Sequence, residues 1–146
     1  MRNHARKYVI AALMLAVALL PAVLNAGHQK ESEAHSDNPL VEEMIKLDSV
    51  FREVVSGVAM GDGQRVHGAL ETMHGTMEKT HEGVHSGKVS IKKNANRLEE
   101  FVEMDKEFHG KLEKLAHAAQ EGEQDEMLHI TKELLEGCVE CHRSFR

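Results

Sequence analysis

The sequence predicts an all-α fold, and three observations predict it. Apolar residues recur at three- and four-residue steps in four long segments, which is the spacing of one helix face. Glu, Lys, Leu, Met and Ala are plentiful, whereas Phe, Trp and Tyr together make up 3% of the chain. No alternation of apolar and polar residues competes as a strand signal.

The first segment stands apart from the rest. MRNHARKYVIAALMLAVALLPAVLNAG carries Arg2, Arg6 and Lys7 ahead of an apolar run from Tyr8 to Leu20, then small residues up to Ala26. That is the layout of a secretory signal peptide spanning 1–26, with cleavage after Ala26. The run is shorter than the ~20 residues that cross a bilayer, so no stable membrane insertion is expected after signal removal. Cleavage leaves 120 of the 146 residues, enough for one domain. It removes three positive charges and no acids, so a formal net charge of −6 becomes −9. Such a balance argues against nucleic acid or an anionic membrane surface as partner. Export also places the thiols in an oxidising compartment.

Residues 27–37 are polar and read as a flexible N-terminal tail. Asn38 and Pro39 then form a helix start, as N-cap and first helical residue. Leu40, Met44, Leu47, Phe51, Val55 and Val58 make the apolar stripe of this helix, and Gly-Asp-Gly at 61–63 ends it. A second helix is predicted from Gln64 to His85, with Val66, Leu70, Met73, Met77 and Val84 as its stripe. A connection at 86–95 rich in Gly, Ser and Lys follows. The third helix starts near Asn94 and carries Leu98, Phe101, Met104, Phe108, Leu112 and Leu115. After Glu-Gly-Glu-Gln at 121–124, the fourth carries Met127, Ile130, Leu134, Cys138, Cys141 and Phe145. Short loops favour antiparallel neighbours, so residues 38–146 are predicted to form an antiparallel up-down-up-down four-helix bundle.

The only two cysteines fall in GCVECHRSFR, residues 137–146. C-x-x-C-H is the covalent haem attachment signature: two thiols add across the vinyl groups, and the next residue offers an imidazole to the iron. On a helix Cys138 and His142 are four apart and share a face, with Cys141 beside them. Other chemistries are weaker fits. A Cys-x-x-Cys redox pair is expected near a βαβ pattern, which is absent, and a zinc site needs further ligands at matched spacing. A single haem c also fits the low aromatic content, since it would supply a large apolar filler to a Leu- and Met-rich interior.

Four predicted helices behind a signal peptide, closing on CVECHRSFR, resemble the cytochrome c′ family, whose members end in C-x-x-C-H-x-x-Tyr/Phe-Arg. Phe145 and Arg146 stand in the last two places of that pattern. The resemblance implies haem inside one end of the bundle, His142 as proximal iron ligand, a periplasmic location and a possible homodimer. It also makes the residue opposite His142 decisive. Met44, about 7–8 Å into the first helix, is the candidate distal ligand. Leu47 is the alternative, as an apolar shield over an open iron, with Phe51 as a further haem-packing residue. His81 is a third candidate. It belongs with His67, His74 and His85 to a ridge on the flank of the second helix, where His81 and His85 could also hold a surface metal ion. His28, His35, His109, His117 and His129 read as surface or tail residues.

Arg146 and Arg97 are the first candidates to neutralise haem propionates, with Lys92, Lys93 and Arg143 behind them. No Ser-His-Asp order, phosphate loop or carboxylate pair stands out, so no enzyme activity is expected. The functional expectation is a periplasmic monohaem c-type electron carrier with a basic redox partner. The alternative is a five-coordinate cytochrome c′ that binds or sequesters nitric oxide or other small gases.

Overall fold

The computed structural model describes residues 37–146, and all of its regular structure is helical. The expected signal peptide at 1–26 and nearly all of the expected tail lie outside these residues. Among the described residues, no helix is long and apolar enough to cross a membrane.

Helix α1 spans Pro39–Met60. It starts where expected: the Asn38 side chain accepts a hydrogen bond from the Leu40 N–H at 3.1 Å, satisfying one of the free donors of the first turn. It stops at Gly61, whose left-handed φ of 68° lets its N–H turn back onto the Gly57 and Val58 carbonyls.

The predicted second helix is two helices, α2 at Gly63–Glu71 and α3 at Thr76–His85. The break has local causes. Thr72 and Thr76 hydroxyls donate to the carbonyls of Ala69 and Met73, three residues back. Gly75 takes φ 77°, which a side chain would strain. These features close one helix and start the next, although the apolar spacing runs through them.

Helix α4 spans Leu98–Glu121, starting four residues later than Asn94 suggested. Asn94 instead adopts φ 52° and donates from Nδ2 to the Ser144 carbonyl at 2.7 Å. The Lys93 N–H reaches the Phe145 carbonyl at 3.2 Å, so the 86–97 connection fastens the end of the last helix. That helix, α5, spans Gln124–Phe145.

The helices pack on one another through a shared apolar core. Val54, Val66, Leu115, Met127 and Leu134 are fully buried at its centre. Residue contacts fix the directions of neighbours. Gly57 meets Val66 and Pro39 meets Gly83, so α2 and α3 run back along α1. Gly63 meets Ala119, where a side chain on residue 63 would collide with the Ala119 carbonyl. Phe101 meets Phe145 and Phe108 meets Gly137, so α4 and α5 are antiparallel. The seam between α1 and α5 is sparse, and Gln124 Nε2 closes one end of it with a 2.5 Å hydrogen bond to the Val58 carbonyl.

The core stripe of α1 differs from the predicted one. Its buried residues are Glu43, Leu47, Val50, Val54, Gly57 and Val58. Met44 and Phe51 are half-buried beside it, and Val55 is exposed. The helix carries two apolar strips, and the three- and four-residue spacing alone does not choose between them.

Candidate functional site

Helix α5 remains regular through its last two turns, so Cys138, Cys141 and His142 are carried on rigid backbone. At about 100° per residue, Cys138 and Cys141 flank the buried stripe of Leu134 and Phe145 on either side. Both thiols are half-buried and free. Burial pushes the Cys138 thiol above its ordinary pKa. Burial, helped by the charge of Asp105, pushes Cys141 to about 11. Both are therefore neutral thiols at pH 7. The His142 ring is exposed.

His142 shares its flank with apolar residues that the core leaves uncovered: Leu128, Leu135 and Val139, at 44%, 55% and 42% exposure. Gly137, on the opposite side of α5, packs against Phe108 of α4, so the uncovered flank turns away from α4. On α1, Pro39 and Gly57 face α3 and α2. The flank turned away from them carries Met44, Phe51, Val55 and Val41. Two apolar strips thus border the α1–α5 seam. Val58 and Gln124 fix the register at one end. Met44 and Cys138 each lie fourteen residues from that pin, about 21 Å along their helices, and so stand at one level. Leu47 is buried in the core cluster, and Met44 and Phe51 both pack against that cluster.

A second group of side chains occupies the interior on the other side of α1. Glu43 is 1% exposed, and its Oε1 lies 2.5 Å from His109 Nε2. Asp105 is buried, and its Oδ2 lies 2.9 Å from His81 Nε2. Ligand atoms of Glu43, Asp105 and His109 lie within 4.8 Å of one another. Burial, then the neighbouring charge of Glu43, pushes the Asp105 carboxyl up to about 6, against the opposing pull of His109 and His81. For His109, burial disfavours the charged ring. The hydrogen bond and charge of Glu43, with Asp105 and Glu78, outweigh it and hold the pKa above its ordinary value.

This cluster corrects the sequence reading twice. His109, expected at the surface, is half-buried against Glu43. A carboxylate pair, which the sequence did not suggest, is formed by Glu43 and Asp105 from separate helices. A signal was present, because both acids occupy stripe positions: Glu43 is one turn before Leu47, and Asp105 lies between Phe101 and Leu112. The histidine ridge is also divided. His67 and His74 both approach Glu71 on the surface and His85 is exposed, whereas His81 turns to Asp105.

Among the propionate candidates, Arg97 is paired with Glu100 and its guanidinium lies 5.9 Å from the centre of the Phe145 ring. Lys92, Lys93, Arg143 and Arg146 are exposed around the same end of α5. No protein-family profile, curated protein or solved structure matches the chain.

Proposed function

We propose that this chain is an exported, periplasmic c-type cytochrome that carries one haem c and transfers electrons. In this reading the helices form an up-down-up-down four-helix bundle, with the haem received in the α1–α5 seam. The observation that carries the reading is C-x-x-C-H on the last turns of α5, with both thiols free and half-buried at the edge of two uncovered apolar strips.

The residues present fit the group. Cys138 and Cys141 would tether it, and the exposed His142 ring, on the flank of Leu135 and Val139, would offer the proximal nitrogen. Val41, Leu135 and Val139 would cover its apolar faces, removing them from water. Met44 is favoured as distal ligand because it lies on the seam at the level of Cys138. Leu47 faces the core, and His81 is engaged by Asp105. When bound, the haem would supply an iron that cycles between ferric and ferrous states, and a thioether ligand suits electron transfer. Arg146 and Arg97 stand near the end of α5 as propionate partners. The acidic balance of the chain suits a basic redox partner, met by attraction that weakens with salt.

Production in a host able to attach haem c tests the reading. The expected product gains the mass of one haem, keeps its colour through acid-acetone extraction, and loses both in Cys138→Ala/Cys141→Ala. Low-spin ferric and ferrous spectra that become high-spin in Met44→Ala support electron transfer through a methionine-ligated iron. High-spin spectra in the unaltered chain, with rapid nitric oxide binding, select the gas-binding alternative. A colourless chain of unchanged mass overturns both.

A further inference from the structure

The geometry points to a second site: we infer that Glu43, Asp105 and His109 bind one zinc-type divalent cation inside the helical domain, with His81 positioning Asp105. This site is independent of the haem reading and uses none of its ligands.

Asp105 and His109 are four apart on α4, so they project from one face, one turn above the other. Glu43 reaches them from α1. The three ligand atoms already lie within 4.8 Å of one another and sit on rigid helices, so small side-chain rotations would bring all three onto one ion. An ordinary buried ion-pair network would satisfy its own atoms, and this one does not. Among the described residues, Glu43 Oε2 is buried without a hydrogen-bond partner. A bare carboxylate oxygen in a dry interior is costly, and the cost ends if a cation contacts it. The fully buried Thr80 hydroxyl is likewise unpartnered. The contact of Pro39 with Gly83 sets α3 antiparallel to α1, and one turn on from that contact brings Thr80 level with Glu43.

Charge points the same way. Two carboxylates held this close repel, and a dication between them removes the repulsion. His81 completes the arrangement, because a ligating carboxylate is itself usually hydrogen-bonded by an outer partner, and Nε2 of His81 lies 2.9 Å from Asp105 Oδ2. The donor set selects the class of ion. Two oxygens and an imidazole nitrogen suit zinc and its first-row neighbours, whereas calcium and magnesium take oxygen alone. Three protein ligands leave a fourth position for water.

The test uses the full chain, stripped with chelator and titrated calorimetrically with Zn²⁺ alone. One ion per chain is expected. Glu43→Gln, Asp105→Asn and His109→Gln should each weaken binding by at least about 100-fold, and His81→Ala by about 10-fold. Exposed His74→Ala and His85→Ala should leave it unchanged. X-ray absorption of the unaltered zinc-loaded chain should show oxygen and nitrogen neighbours at about 2.0–2.1 Å and no sulfur near 2.3 Å. Absence of one-site binding, undiminished binding in Glu43→Gln, or sulfur ligation overturns the inference. The absorption result decides alone if the buried variants fail to fold. Cys138→Ala/Cys141→Ala should still bind zinc, which separates this outcome from failure of the haem reading.

Discussion

Where α1 gives way to α2 and α4 to α5, the interior is apolar and closed. Val54, Val66, Leu115, Met127 and Leu134 are fully buried, and Gly57 and Gly63 let neighbouring backbones approach closely. Where α3 ends and α4 begins, the interior holds two carboxylates and two histidines, with half-buried thiols beside them. The same helices run through both ends, so the difference is one of side chains. Close packing at one end supplies the stability with which the other can hold charged groups that a core would otherwise exclude. Glu43 and Met44, adjacent on α1, show how narrow the division is: one turns to the polar cluster and the other to the seam.

The comparison breaks most directly if the closed end proves dispensable. Leu134→Ala leaves a cavity in a fully buried site and should cost about 2–5 kcal/mol. Its neighbour Leu135 is 55% exposed on the seam, and Leu135→Ala should stay within about 0.5 kcal/mol in the haem-free chain. Urea unfolding of the two variants side by side measures both. Equal losses would mean that the seam is core. Next in size is Gly63→Ala, whose methyl would meet the Ala119 carbonyl. Because backbone must shift to admit it, a loss of about 1–3 kcal/mol is expected.

At the polar end the effect is one of pH. Asp105 is held protonated up to about pH 6 in the folded chain, above its ordinary value of 3.8. Folding therefore takes up a proton between roughly pH 4 and 6, and stability falls as pH rises through that window. His109, also raised, loses its contribution above its own ordinary pKa and so acts in the same direction at higher pH. The groups in electrostatic reach are Glu43 from α1, Glu78 and His81 from α3, and Cys141 from α5. In the metal- and haem-free chain, the stability of the unaltered protein relative to Asp105→Asn should decline from pH 4 to pH 6.5. A pH-independent difference would mean that Asp105 ionises normally.

The helices were legible in the sequence because their signals are local: the Asn38-Pro39 start, the glycine stops, and the three- and four-residue spacing. The division of the second helix was not, because the two threonine back-bonds and the Gly75 turn leave the apolar spacing undisturbed. The choice between the strips of α1 was not legible either. Leu40, Met44, Phe51 and Val55 are as well spaced as Leu47, Val50 and Val54, and only the neighbouring helices decide. C-x-x-C-H is contiguous and could be read at once. The Glu43 cluster joins residues 66 positions apart whose types ordinarily face water. Tertiary packing alone brings them together, which is why the sequence places His109 at the surface.

The smallest expected effect lies at the rim of the polar end, at Arg97. Its guanidinium pairs with Glu100, and both side chains are about 45% exposed, so solvent screens most of the attraction. It also faces Phe145, which is buried and meets Phe101 edge-on at 5.6 Å. Arg97→Ala should therefore cost about 0.5–1 kcal/mol, the sum of a weak ion pair and a partly exposed cation–ring contact. High salt should remove the part due to Glu100 and leave the ring contact. Arg97→Lys keeps the charge but loses the planar fork, so it should recover only part of the loss. Urea midpoints of the haem-free chain at low and high salt separate these contributions. A loss well above about 2 kcal/mol would show that Arg97 clamps Phe145, and with it the end of α5, making the rim of the polar end as structural as the closed one.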